Sequence, residues 1–176
     1  MDWDTDSEHG RRRAWQAICH EVIGVAATLE RDLDHALALA HGRSSDAVER
    51  LHTEVFPRVG IDVKCQLLES VLRSTVDPMK GWPAEVSLPF CVPGLRRVFY
   101  VRNAIAHSEV SSRSTNQTVI LESWRRGKSA ERRISLSSID YVRKRLAEAL
   151  EKDLDSIGGW AAADPSLLDE ARELDS

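Results

Sequence analysis

The sequence predicts an all-α fold: a helical bundle of four main helices with a small β-hairpin inserted before the last long one. Apolar residues recur at 3- and 4-residue steps through four long stretches of the 176-residue chain, the mark of amphipathic helices. Between them lie glycine- and proline-rich breaks, and residues 118–136 stand out as rich in strand formers around a basic turn. No internal repeat appears, and a chain of this length suits one compact domain.

Residues 1–10 carry four acids and no base and read as a flexible acidic tail. From Arg11 to His41, Trp15, Ile18, Val22, Val25, Leu29, Leu33 and Leu37 line one face of a long first helix. Gly42 breaks it, and Asp46 is placed to cap a short helix through Val55. After Pro57 and Gly60, Val63, Leu67, Leu68, Val71 and Leu72 mark a second amphipathic helix with Asp62 at its start. Six prolines and glycines between Asp77 and Gly94 predict an irregular loop with Trp82 and Phe90 packed beneath it. A third helix, started by Pro93-Gly94, runs from Leu95 to Ala106, followed by a polar loop from Ser108 to Asn116. Thr118–Trp124 and Arg132–Leu136 form the hairpin around Arg125-Arg126-Gly127-Lys128. Ser137 or Ser138 caps a fourth helix to Ile157, with Ile139, Val142, Leu146, Leu150 and Leu154 inward and Gly158-Gly159 as its stop. The helical domain thus spans 11–157. Residues 158–176 form an acidic C-terminal extension, where Asp164-Pro165 can start a short helix over Ser166–Leu174.

Composition narrows the class of function. No stretch approaches the ~20 apolar residues of a membrane span, and the acidic start is unlike a secretory signal. Cys19, Cys65 and Cys91 lack the spacing of a disulfide framework or zinc knuckle, so a cytoplasmic protein with reduced thiols is expected. The net charge of −4 hides an asymmetry: the first ten residues hold −4 and residues 151–176 hold −6, leaving +6 on the body. A basic body can favour a polyanion, although scattered surface arginines explain it equally well.

The chemistry-bearing stretch is Val98-Phe99-Tyr100-Val101-Arg102-Asn103-Ala104-Ile105-Ala106-His107-Ser108. It resembles the Arg-polar-x-x-x-His motif of the HEPN superfamily, near the end of an apolar helix. The order of helices over residues 11–156 is similar to that family's plan, including a second helix of the Lys64-Cys-Gln-Leu-Leu type. The resemblance implies a HEPN-like bundle, a homodimer whose two motifs line one cleft, and a metal-independent endoribonuclease of toxin or phage-defence type. It implies no cofactor and no metal, with RNA as substrate and an antitoxin or defence partner as a further associate.

In that reading His107 is the general base on the ribose 2′-OH or the general acid on the 5′-oxygen. Arg102 grips the scissile phosphate, and Asn103 orients the histidine or bonds the phosphate. On a regular helix Arg102 and His107 diverge by about 140°, a difficulty that eases if the helix unwinds at His107 or if two copies pack motif to motif. Phe99 and Ala106 suit such a dimer contact. Arg125, Arg126, Lys128, Arg132 and Arg133 are candidates for tracking an RNA backbone, and equally fit as solvated hairpin residues. The bland alternatives are an ion pair between Arg102 and an acid such as Glu69, and a capping role for His107. Arg13 and His20 form a second arginine–histidine spacing, but mid-helix. His20, His35 and His41 are expected to be surface or core residues, since they lack a joint spacing for metal ligation. Trp15, Trp124 and Trp160 are expected as packing anchors. A non-catalytic HEPN-like helical module, binding a partner protein or nucleotide, is the alternative function.

Overall fold

The computed structural model describes residues 7–75, 88–125 and 128–163. It corrects the predicted all-α bundle, because the helices are accompanied by a three-stranded antiparallel sheet in the order β1-β2-β3. The helices are α1 (Glu8–His41), α2 (Ser45–Arg50), α3 (Ile61–Thr75), α4 (Leu88–Ala106), α5 (Leu136–Asp140) and α6 (Ala147–Ala163). A π-helical turn (Leu51–Val55) and a 3-10 turn (Phe56–Arg58) continue α2, and a π-helical turn (Tyr141–Leu146) joins α5 to α6. The chain divides into two compact units, one from Met1–Ala27 and Arg97–Ala147, the other from Thr28–Arg96 and Glu148–Ser176, each taken over its described residues.

The first unit holds the sheet. Strands β2 (Thr118–Arg125) and β3 (Lys128–Ser135) form the expected hairpin, with Thr118 opposite Ser135 and Arg125 opposite Lys128. The third strand, β1 (Glu109–Val110), was hidden in a polar stretch read as loop. It pairs Glu109 with Glu122 and Val110 with Leu121. Beyond it, the Ser111 N–H donates to the Ile120 carbonyl at 2.8 Å. The Ser114 hydroxyl accepts from the Ile120 N–H at 3.0 Å, so a buried side chain replaces a ladder partner. Val119, Ile120 and Leu121 are all buried, and since successive residues point to opposite faces, β2 is covered on both sides at its centre.

Several boundaries also move. The Ser7 hydroxyl accepts from the Gly10 N–H at 3.0 Å and α1 starts at Glu8, so residues 8–10 are helical rather than tail; residues 1–6 lie outside the described residues. Helix α4 begins at Leu88 and carries Pro93 inside it, so 88–94 is not loop. Pro93 is exposed, so its ring stays off the packed side of the helix. The rest of that predicted loop with Trp82, the side chain of Phe90, and the Ser166–Leu174 helix fall outside the described residues. The cap of α5 is Ser135, whose hydroxyl accepts from the Ser138 N–H at 3.2 Å, not Ser137 or Ser138. Helix α6 passes through Gly158-Gly159 to Ala163. A Cβ at Gly158 would stand 3.2 Å from Leu39 Cδ1, so this glycine permits close helix packing instead of ending the helix.

In the second unit, α3 buries Lys64, Cys65, Leu68, Val71 and Leu72. Val63, expected inward, is 48% exposed, while Lys64 is 0% exposed. The lysine is held by acids of α1: its Nζ lies 3.0 Å from Glu30 Oε1 and 2.7 Å from Asp34 Oδ1, the latter close enough to pair but poorly aligned for a hydrogen bond. Burial raises the Asp34 carboxyl above its ordinary 3.8, outweighing the opposite pull of Lys64. All three cysteines are buried free thiols, and burial pushes Cys91 up to about 12. No helix among the described residues is long and apolar enough to cross a membrane.

Candidate functional site at the end of helix α4

The last three turns of α4 divide cleanly by burial. Val98, Phe99, Val101, Ala104 and Ile105 are buried, whereas Tyr100, Asn103, Ala106 and His107 are exposed. Tyr100, Asn103 and His107 stand three and four residues apart and therefore share one face. Phe99, at 2% exposure, is part of the packed interior and offers no surface for a contact between copies, contrary to expectation. Ala106 does face outward.

Arg102 is half-buried, and its Nη1 donates to Asn103 Oδ1 at 2.8 Å. Its guanidinium carbon lies 5.9 Å from the Phe99 ring centre, so the head group rests between an amide and an aromatic face. Asn103 thus positions the arginine through its side chain. Its backbone carbonyl meanwhile accepts from the His107 N–H at 3.2 Å. That bond is the helical i to i−4 bond, so the chain has not unwound before the imidazole is placed. The turn tightens one residue later, where the Ser108 N–H donates to the Ile105 carbonyl at 3.2 Å. Arg102 and His107 therefore keep roughly the 140° divergence of a regular helix. Unwinding does not bring them together within one chain.

Around this face the hairpin adds positive charge. Arg132 lies over the Tyr100 ring, 5.1 Å from its centre, which brings one candidate RNA contact beside the motif helix. Arg133 is engaged elsewhere: its Nε is 2.9 Å from Glu131 Oε1, while Arg113 lies 2.7 Å from Glu131 Oε2 and 2.9 Å from Glu122 Oε1. Arg133 and Arg113, in that order, hold the Glu131 carboxyl below its usual range, and Ser111 and Arg113 do the same for Glu122. Arg126 and the side chains of Arg125 and Lys128 lie outside the described residues. Glu69, named above as an alternative partner for Arg102, lies 3.6 Å from Arg96. Trp15 is the anchor expected of it, buried with its Nε1 donating to the Thr115 carbonyl at 2.7 Å. Trp124 is not, being 77% exposed on β2; the side chain of Trp160 lies outside the described residues.

A cleft of about 400 Å³ opens beside the motif, with Ala106 and Ser108, the two neighbours of His107, in its wall. Arg12, Gln16 and His20 of α1 line it, together with Glu109. Cys19, Ile23, Ile105, Val110 and Leu121 supply apolar lining. Burial pushes the Cys19 thiol up to about 11, so it is a neutral lining group and not a nucleophile. Sequence reasoning missed these α1 residues. The available signal was Arg12, Gln16 and His20 at four-residue steps on one helix face; the Arg13–His20 spacing drew attention to the wrong arginine. Among the described residues there is no group of three or more histidine, cysteine or acidic side chains able to hold a metal ion. No family model, curated protein or solved structure matches the chain.

Proposed function

We propose that this protein is an endoribonuclease that cuts RNA by attack of the ribose 2′-OH, with Arg102, Asn103 and His107 as its working residues. The observation that carries the reading is their arrangement. An exposed imidazole stands just past a helix end, and a guanidinium is held by the asparagine between them, in a segment that resembles the HEPN ribonuclease motif. His107 takes the proton from the 2′-OH, or delivers one to the 5′-oxygen as the phosphorus–O5′ bond breaks. Arg102 binds the non-bridging oxygens and stabilises the charge that grows on them. The products are a 2′,3′-cyclic phosphate and a 5′-hydroxyl. RNA brings its own nucleophile, so DNA is not a substrate.

Because one helix turns the two groups apart, two copies are needed to present an arginine and a histidine to one phosphodiester. The working form is therefore a homodimer joined near Ala106. A cytoplasmic location, where thiols such as Cys19, Cys65 and Cys91 stay reduced, fits this reading. So does restraint of the activity by an antitoxin or defence partner.

Purified protein incubated with end-labelled RNA in EDTA tests the proposal. Cyclic-phosphate ends are expected, and His107→Ala is expected to lower the rate by about 10²–10⁴-fold while dimerisation by analytical ultracentrifugation is unchanged. Undiminished cleavage by that variant removes His107 from the mechanism.

A further inference from the structure

The cleft beside the motif has a composition that its packing role does not require. Arg12, Gln16, His20, Ser108 and Glu109 all line it, and none of these side chains has a hydrogen-bond or ion-pair partner among the described residues. Behind them lies an apolar wall that includes Ile23, Ile105 and Leu121. A concave apolar surface edged by a few convergent polar groups is the usual form of a small-molecule site. At about 400 Å³ it falls in the lower part of the ~300–1,000 Å³ range of such sites, so it suits one compact ligand and not an oligomer.

The polar groups limit what that ligand is. Arg12 provides a permanent cation with a planar fork suited to a phosphate. Gln16 can pair in two-point fashion with a base edge, and the Glu109 carboxylate accepts from an exocyclic amino group. The apolar wall covers the flat face of a base. Ala106 and Ser108, the chain neighbours of His107, bring the cleft up to the end of the motif.

We infer that the cleft is a nucleotide subsite, which takes one amino-bearing base of the RNA strand into its apolar lining and sets the attached phosphate on Arg12. The place of this subsite in a reaction rests on the ribonuclease reading of the motif; the binding itself does not. By holding a neighbouring nucleotide it fixes the register of the scissile bond over His107, a source of base preference that the motif alone lacks.

Titration of the ¹⁵N-labelled full chain with 5′-AMP and 5′-CMP, with adenosine and inorganic phosphate as separate arms, tests it. Saturable shifts are expected at the amides of Arg12, Gln16, Ser108 and Val110. Arg12→Ala is expected to weaken both nucleotides about tenfold and leave adenosine unchanged, as loss of a charge-assisted phosphate contact requires. Arg12→Lys restores part of the affinity, since it keeps the charge and loses the fork. No saturable binding by wild type up to about 10 mM nucleotide overturns the inference, as does equal weakening of adenosine and AMP in Arg12→Ala. If nucleotide binds here and RNA is not cut, the ribonuclease reading falls and the subsite stands. If RNA is cut while no nucleotide enters the cleft, the subsite falls and the ribonuclease reading stands.

Discussion

Replacing Lys64 with methionine isolates the electrostatics of the second unit, because methionine keeps most of the aliphatic stem and removes only the cation. The wild-type ammonium is 0% exposed and serves two carboxylates, Asp34 at 2.7 Å and Glu30 at 3.0 Å. Deleting it takes the shared ammonium from one buried acid and one partly buried acid. Removing one partner of a buried pair costs about 3–5 kcal/mol, a large share of the roughly 5–15 kcal/mol that holds a domain folded. Urea unfolding at pH 7 should therefore show Lys64→Met destabilised by about that amount. The double variant Lys64→Met with Asp34→Asn should recover part of the loss, since the more deeply buried stranded charge is gone. The pH dependence has a definite sign. The Asp34 carboxyl is raised above 3.8 by burial, so the folded state binds its proton more readily than the unfolded chain. Its contribution to stability is complete below 3.8 and is lost as pH rises through the raised value. In Lys64→Met the opposing pull of the lysine vanishes and the carboxyl rises further, so the deficit should shrink as pH falls from about 7 toward 4. A loss below about 1 kcal/mol at pH 7, or a double variant no more stable than the single, refutes the reasoning.

Two glycines and a tryptophan give further tests in the same assay. Gly24 sits exposed inside α1 with nothing within 4 Å of a built Cβ, so Gly24→Ala should stabilise the protein by about 1 kcal/mol and raise Tm by about 2–4 °C. Gly42→Ala should do the reverse and cost about 1–3 kcal/mol. Its Cβ would overlap Val48 Cγ2 and stand 2.8 Å from the Ala38 carbonyl oxygen and 2.9 Å from the Val48 nitrogen, and the last two are backbone atoms. Equal effects at the two glycines would show that propensity, not space, decides. Trp15→Phe should lose about 1–3 kcal/mol, because it leaves the Thr115 carbonyl without the 2.7 Å indole donor; an unchanged urea midpoint would show that water replaces it.

Where the sequence was read correctly, the signal was local and periodic. The inward set Ile139, Val142, Leu146, Leu150 and Leu154 is buried throughout, and a hairpin stands where the strand formers and basic turn put it, although its second strand begins at Lys128 and not at Arg132. The misreadings share a different cause. Val63 reads as inward, yet it is exposed and its neighbour Lys64 is buried, because Glu30 and Asp34, some thirty positions earlier, supply the lysine's countercharge. Gly158 reads as a stop, yet it is tolerated because Leu39 needs the space. Strand β1 is two residues long and polar in its surroundings, so only its pairing with β2 defines it. In each case the deciding partner is distant along the chain, and no window of neighbouring residues contains it.

The candidate site divides along the same line. The divergence of Arg102 and His107 is a consequence of 100° per residue and was readable from spacing alone. What spacing left open was whether the helix end relieves it. The bond from the His107 N–H to the Asn103 carbonyl answers that for one chain: the helical register persists through the imidazole. Asn103 is then the joint of the motif, with its carbonyl fixing the histidine backbone and its side chain clasping the arginine 2.8 Å away. An aspartate there would bind the guanidinium more tightly but, on the proposed reading, would bring a negative charge to the place where a phosphate approaches. The neutral amide holds the arginine without adding a charge of its own, and on the proposed ribonuclease reading that accounts for asparagine here, since the residue is exposed and packing does not require it.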